Sequence, residues 1–134
     1  MAVVLDSNAV VGFLDRNDGL HDAADGAIRD LAHQHRLLVS VVTYAEVLTG
    51  ARLGHHDVGE VQGFFFRLIS EVLPVDVQIA EKAADLRSRL KSLRMPDALI
   101  LATADTAPDV DLILTGDKQA TRISGLECQV QMLS

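Results

Sequence analysis

Apolar positions along this chain follow two rhythms. Short unbroken runs occupy residues 2–5 (Ala-Val-Val-Leu) and, in the segment 111–114, the Leu-Ile-Leu that follows Asp111; they stop at Asp6 and at the turn Thr115-Gly116-Asp117. Runs without alternation, closed by a polar turn, predict parallel strands buried on both faces. Residues 37–40, 72–75 and 128–133 supply three further candidate strands. The other rhythm is clearest over 77–93, where Ile79, Ala83, Leu86, Leu90 and Leu93 recur at three- and four-residue steps and form one apolar face of a helix. Asp76 stands where it can cap that helix. Further helices are predicted at 8–15, 20–34, 43–53, 58–70, 96–106 and 117–124, with Pro96 at a first-turn position.

Strands alternating with helices of this length require right-handed crossovers. They predict an α/β/α sandwich around a central, mainly parallel sheet of about five strands. No linker, repeat or low-complexity tract interrupts the pattern, so residues 1–134 read as one domain. In such folds ligands bind beyond the carboxyl ends of the strands, where strand order reverses. Asp6 and Asp117 each follow a predicted strand and are expected to project into that crevice.

Composition sharpens this picture. The 134 residues are 49% hydrophobic but contain no Trp and only 4% aromatics, so the core is aliphatic. Cys128 is the lone cysteine, which excludes an internal disulfide and a multi-cysteine metal cluster and fits a reducing compartment. It reads as a core residue. The start of the chain is neither basic nor apolar for long enough to be a signal peptide or membrane span, so a cytoplasmic protein without membrane association is expected. The net charge of −7 argues against a passive nucleic-acid binder, which gains affinity by releasing counterions from phosphate. Any nucleic-acid role needs local cations, which bound metal could supply.

Four carboxylates stand out: Asp6 in LDSNAV, Glu46 in VTYAEVLTG, Asp97 in MPDALILATA and Asp117 in LTGDK. They are far apart in sequence, so only the fold can bring them together. Carboxylates forced into one site repel, and either protonation or a divalent cation relieves the repulsion. An all-oxygen donor set favours Mg²⁺ or Mn²⁺ over zinc. Two such ions about 4 Å apart could activate a water and stabilise the leaving oxygen in phosphodiester hydrolysis. Each residue also has a structural reading. Thr43 to Glu46 matches a capping box, Asp97 sits in a helix first turn, and Asp6 and Asp117 could cap the helices that follow, Asp117 pairing with Lys118 or Arg122. Asp6 is hardest to explain that way, because an ionisable group ending an apolar strand needs a partner.

The blocks LDSN, TYAEVLTG, MPDALILATA and LTGD, in this order across nearly the whole chain, resemble the PIN-domain family, and the length resembles its VapC toxin branch. The resemblance implies a Mg²⁺- or Mn²⁺-dependent endoribonuclease, silenced by a cognate VapB-type antitoxin that wraps it with a helix and a basic tail. It implies that Asp6, Glu46, Asp97 and Asp117 form the acidic catalytic site, with Asp6 and Asp97 foremost as metal ligands. Ser7, Asn8 and Thr115 would support them by hydrogen bonds. A homodimer is also expected on this basis. One departure is that Lys118-Gln119-Ala120 follows the fourth block, where many relatives carry an aromatic or acidic residue.

Arg87, Lys91 and Arg94 recur at i, i+4 and i+7 and would form a basic stripe leading to Asp97, able to hold RNA phosphates or merely to be solvated. Phe64, Phe65 and Phe66 cannot all enter one face of a helix, so at least one is expected at a surface, in a groove for a partner helix, unless packing on two sides buries all three. The five histidines read as surface residues. Two other classes compete with a nuclease. A phospho-signalling domain wants a second acidic residue near Asp6 and an acceptor Asp after the third strand, where this chain has Ser7-Asn8 and Pro74-Val75; a phosphatase of the haloacid-dehalogenase kind wants its second Asp at Asn8. A non-catalytic binding module, with the carboxylates acting as caps or a single-metal site, is not excluded by residue type.

Overall fold

The computed structural model describes residues 1–134, and its first strand shows how the sheet is built. All four residues of β1 (Ala2–Leu5) are buried. Ala2 and Val4 enter one core while Val3 and Leu5 enter another, the period-two geometry of a strand covered on both faces. The same division recurs in β2 (Arg36–Ser40), where Leu38 opposes Leu37 and Val39, and in β4 (Val110–Thr115), where Ile113 opposes Leu112 and Leu114. The less buried strands β3 (Ile69–Leu73) and β5 (Gln129–Met132) form the edges. Strand order is β3-β2-β1-β4-β5, and every pairing is parallel.

Helices α1 (Ser7–Leu14), α2 (His21–Gln34) and α4 (Val58–Arg67) cover one core, and α5 (Val77–Arg89) and α6 (Met95–Thr106) the other. Helix α3 (Val41–Arg52) contributes to both, through Val47 and Ala51 on one side and Val42 on the other. The result is the expected α/β/α sandwich, with the sheet wholly parallel. From β1 the chain winds outward to β2 and β3, then returns through α5 and α6 to β4 on the opposite flank of β1. Strand order therefore reverses between β1 and β4, and the crevice at a parallel sheet's switch point opens at their carboxyl ends.

Several expected boundaries move. The strand expected at 72–75 lies at Ile69–Leu73, which ends the preceding helix at Arg67 rather than at residue 70. Pro74 has no N–H for a ladder, so pairing stops before it. Helix α5 ends at Arg89, not 93, because Leu90 is extended; the chain turns there, and Leu93 is fully buried from the turn rather than from the helix face. Asp76 caps α5 as expected, accepting from the Ile79 amide at 2.8 Å. The helix expected at 117–124 is a short 3-10 helix, Lys118–Arg122. Cys128 is buried, and that burial pushes its thiol up to about 11. Not all histidines lie on the surface: His21 is half-buried, its Nδ1 is 2.8 Å from the Gly12 carbonyl, and it ties α2 to α1. No helix is long and apolar enough to cross a membrane.

Candidate active site

Asp6 leaves β1 at the switch point with its amide bonded to the Leu114 carbonyl of β4 at 2.9 Å. It is only 6% exposed, among aliphatic side chains that offer a charge nothing. Both its oxygens are held: Oδ1 accepts from the Ser7 amide at 2.8 Å and Oδ2 from the Thr115 hydroxyl at 2.6 Å. Burial raises its carboxyl from 3.8 to about 6; the bonds from Thr115 and Ser7 pull the other way, and the nearby charges of Asp97 and Asp117 add to the rise. Asp97 and Asp117 thus lie close enough to Asp6 to act on its charge, a proximity that their wide separation in sequence could not show.

Thr115, fully buried at the end of β4, is the joint of this arrangement. Its hydroxyl donates to Asp6 and accepts from the Asp117 amide at 3.0 Å. Asn8 ties the same two strand ends together, its Oδ1 accepting from the Gly116 amide at 2.8 Å. A Cβ at Gly116 would lie 2.5 Å from Leu20 Cδ1, so the turn carrying Asp117 packs closely on the residue that precedes α2, and a side chain there would push the leucine tip aside. Asp117 caps the 3-10 helix through the Gln119 amide at 3.0 Å, and no ion pair joins it to Lys118 or Arg122.

Glu46 reaches the site from α3, and here the capping-box reading fails. Ser40 caps α3, accepting from the Val42 amide at 3.1 Å; Thr43 lies one turn inside and is fully buried. Glu46 Oε1 instead accepts from the Ser7 hydroxyl at 2.6 Å. That hydroxyl has one proton to give, so the 3.0 Å contact between Ser7 Oγ and Thr43 Oγ1 has Thr43 as donor. Thr43 was legible only as a cap. Its buried hydroxyl fixes the side chain that fixes Glu46, and a polar residue one turn before Glu46 was the sole signal.

Asp97 lies in the first turn of α6, where the helix dipole favours a carboxylate. Arg94, the residue before that helix, donates from Nε to Asp97 Oδ2 at 3.2 Å. The expected basic stripe is not one helix face. Arg87 remains on α5, but its Nε donates to the Leu93 carbonyl at 2.8 Å and closes the turn after the helix. Lys91 and Arg94 are exposed on that turn, and Ser92 anchors it to Gln119 at 2.9 Å. Arg87 therefore shapes the turn, and Lys91 and Arg94 are the cations it presents.

Whether a metal suits these residues can be judged from the donors. All are oxygens, which suits a hard cation, and Asp6 is a buried carboxyl whose ionised form a cation would favour. No three of the chain's His, Cys, Asp and Glu side chains form a ready-made cage. Mg²⁺ does not require one, since it keeps several waters and is often held by one or two carboxylates. The residues fit such an ion.

A wholly parallel three-layer α/β fold with an acidic crevice at its switch point defines the class of protein to which these features belong. The PIN domain model matches residues 3–126, and the chain belongs to that family. Among solved structures, VapBC2 from Rickettsia felis, bound to a fragment of promoter DNA, is 16% identical with a TM-score of 0.78, covering 100% of both chains. A toxin-antitoxin complex from Klebsiella pneumoniae is 24% identical with a TM-score of 0.72, covering 99% of this chain and 98% of that one. VapC20 from Mycobacterium tuberculosis, a sarcin-ricin loop cleaving toxin, is 17% identical with a TM-score of 0.67, covering 96% of this chain and 99% of that one. No curated protein matches by sequence.

Proposed function

We propose that this chain is a Mg²⁺- or Mn²⁺-dependent endoribonuclease and the toxin of a VapBC-type pair. The observation that carries the proposal is Asp6: a buried carboxyl, held on both oxygens at the switch point and pushed up to about 6 by burial and by Asp97 and Asp117. A cap alone does not require that cost. The full-length likeness to toxin structures supports the same reading.

In this reading Asp6 and Asp97 hold the cation, with Glu46 and Asp117 completing the acidic set. When bound, the ion would supply charge neutralisation and lower the pKa of a water. Thr115 and the Ser7 amide keep Asp6 aimed, and the Ser7 hydroxyl keeps Glu46 turned toward the crevice, where it can accept a proton from an attacking water. Water oxygen bonds to the scissile phosphorus as the bond to the leaving ribose oxygen breaks, and that oxygen takes up a proton. Lys91 and Arg94 on the adjoining turn supply positive charge for the RNA backbone, which the net charge of −7 otherwise repels.

The antitoxin belongs in a cleft of about 730 Å³ between α1, α2 and α4, lined by Phe13, Phe64 and Leu68 and by charges of both signs, Arg16, Arg29 and Arg67 with Asp25, Asp57 and Glu60. The three consecutive phenylalanines separate as a helix requires: Phe64 lines this cleft, Phe65 packs edge-on against Tyr44, and Phe66 is 89% exposed. A homodimer is part of the same proposal. The test is incubation of purified, partner-free protein with total cellular RNA. Discrete fragments in Mg²⁺ that disappear in EDTA support the nuclease, and intact RNA across several RNA sources and both metals contradicts it.

A further inference from the structure

The Arg94–Asp97 contact is an ion pair inside the candidate active site, made by the chain with itself. Its two halves differ. The Asp97 side chain is 19% exposed and turned into the crevice region, whereas that of Arg94 is 71% exposed and reaches in from solvent. Only Nε of Arg94 is engaged, in a single contact of 3.2 Å, and neither terminal nitrogen has a protein partner. An exposed single-contact pair is weak and exchanges readily. A guanidinium with two free terminal nitrogens is also suited to grip a phosphate with two hydrogen bonds. The backbone beneath it is fixed, since Arg87 holds the Leu93 carbonyl and Ser92 holds Gln119, so Arg94 can change partner by side-chain rotation alone.

We propose that Arg94 is a positioning residue that covers Asp97 when no RNA is present and passes to an RNA phosphate when substrate arrives, so that cation binding and RNA binding reinforce each other through this one side chain. The inference rests on the proposed metal-dependent nuclease. A cation approaching Asp97 must displace or crowd the guanidinium, and an RNA phosphate that draws the guanidinium away frees the carboxylate for the cation. Linkage makes the effect reciprocal: RNA tightens the cation by the same factor as the cation tightens RNA.

The test is a calorimetric Mn²⁺ titration of the whole protein, alone and with a 2′-O-methyl oligoribonucleotide kept intact by brief exposure and verified by gel. The wild type is compared with R94Q and with R36Q, which removes an exposed charge at the amino end of β2, away from the carboxyl-end crevice. In the absence of RNA, R94Q is expected to bind Mn²⁺ about 3- to 10-fold more tightly, the loss of one nearby positive charge facing a divalent ion. R94Q is expected to lose the tightening that RNA confers on the wild type, and R36Q to retain it. Unchanged Mn²⁺ affinity in R94Q, or an equal change in R36Q, overturns the inference while leaving the nuclease reading intact. Absence of Mn²⁺ binding in the wild type overturns both.

Discussion

The Thr115 hydroxyl donates a 2.6 Å hydrogen bond to Asp6 Oδ2 across 109 positions of sequence, and this bond links the buried carboxyl at the end of β1 to the end of β4. It is fully buried on the threonine side. Replacing Thr115 with Val keeps the shape, removes the donor to Asp6 and leaves the Asp117 amide without its acceptor. The expected cost is about 1–3 kcal/mol of stability, with Thr115→Ser close to wild type. Urea unfolding of the three proteins measures it, and equal stability of Val and Ser variants would contradict the role given to the hydroxyl.

Asp6 makes the fold pH-dependent in an unusual direction for a carboxylate. Its folded value, about 6, lies above its ordinary 3.8, so the folded state holds the proton more tightly and the ionised form costs stability. The cost is absent below about pH 3.8, grows through the interval to about 6, and is complete above it, where it amounts to about 3 kcal/mol. In EDTA, Asp6→Asn is therefore expected to match the wild type near pH 4 and to exceed it by about 2–3 kcal/mol at pH 7–8. Denaturant midpoints of both proteins across that range test this, and a difference independent of pH would speak against it.

Ser7 turns Glu46 toward the crevice without itself being an acid or base. Ser7→Ala is expected to lower the RNA cleavage rate about 10- to 100-fold, the usual effect of losing an outer hydrogen bond to a site residue. The Ser7–Glu46 bond is exposed, so the stability cost comes from the buried Thr43 hydroxyl, which loses its acceptor, and is expected to be about 1–2 kcal/mol. Cleavage rates alongside melting curves separate the two effects, and an unimpaired rate would remove Glu46 from the mechanism.

The Asp105 side chain, away from the site, is 3% exposed, paired with Lys82 at 3.3 Å and accepting from the amides of Glu127 and Cys128. It fastens the approach to β5 onto α5 and α6. Asp105→Ala leaves the lysine and two amides without their partner, and a loss of about 3–5 kcal/mol is expected. Lys82→Met should cost less, since Lys82 is partly exposed and both amides keep their acceptor. Thermal melts of the pair test the ordering.

The sequence was most legible where one physical demand ruled. The strand cores of β1 and β4 announced themselves because burial on both faces leaves no polar position. Asp6 was conspicuous because it ends such a run. The site was less legible wherever local chemistry had two solutions. Thr43 to Glu46 satisfied the pattern of a capping box, yet Ser40, the buried last residue of β2, took the cap and released Glu46 to Ser7. Arg87, Lys91 and Arg94 kept helical spacing through a turn, and only a three-dimensional view shows that Arg87 closes it. The contacts of Ser7, Asn8 and Thr115 span too many residues for any spacing rule to disclose.

The central claim is that these carboxylates cut RNA. Its most direct measurement is the cleavage rate of one end-labelled RNA in Mg²⁺ by wild type, Asp6→Asn and Asp97→Asn, each first shown to be folded by circular dichroism. Metal-dependent cleavage by the wild type, reduced at least about 100-fold in both folded variants, is the predicted result. Cleavage that survives both substitutions, or that proceeds equally in EDTA, would contradict the account.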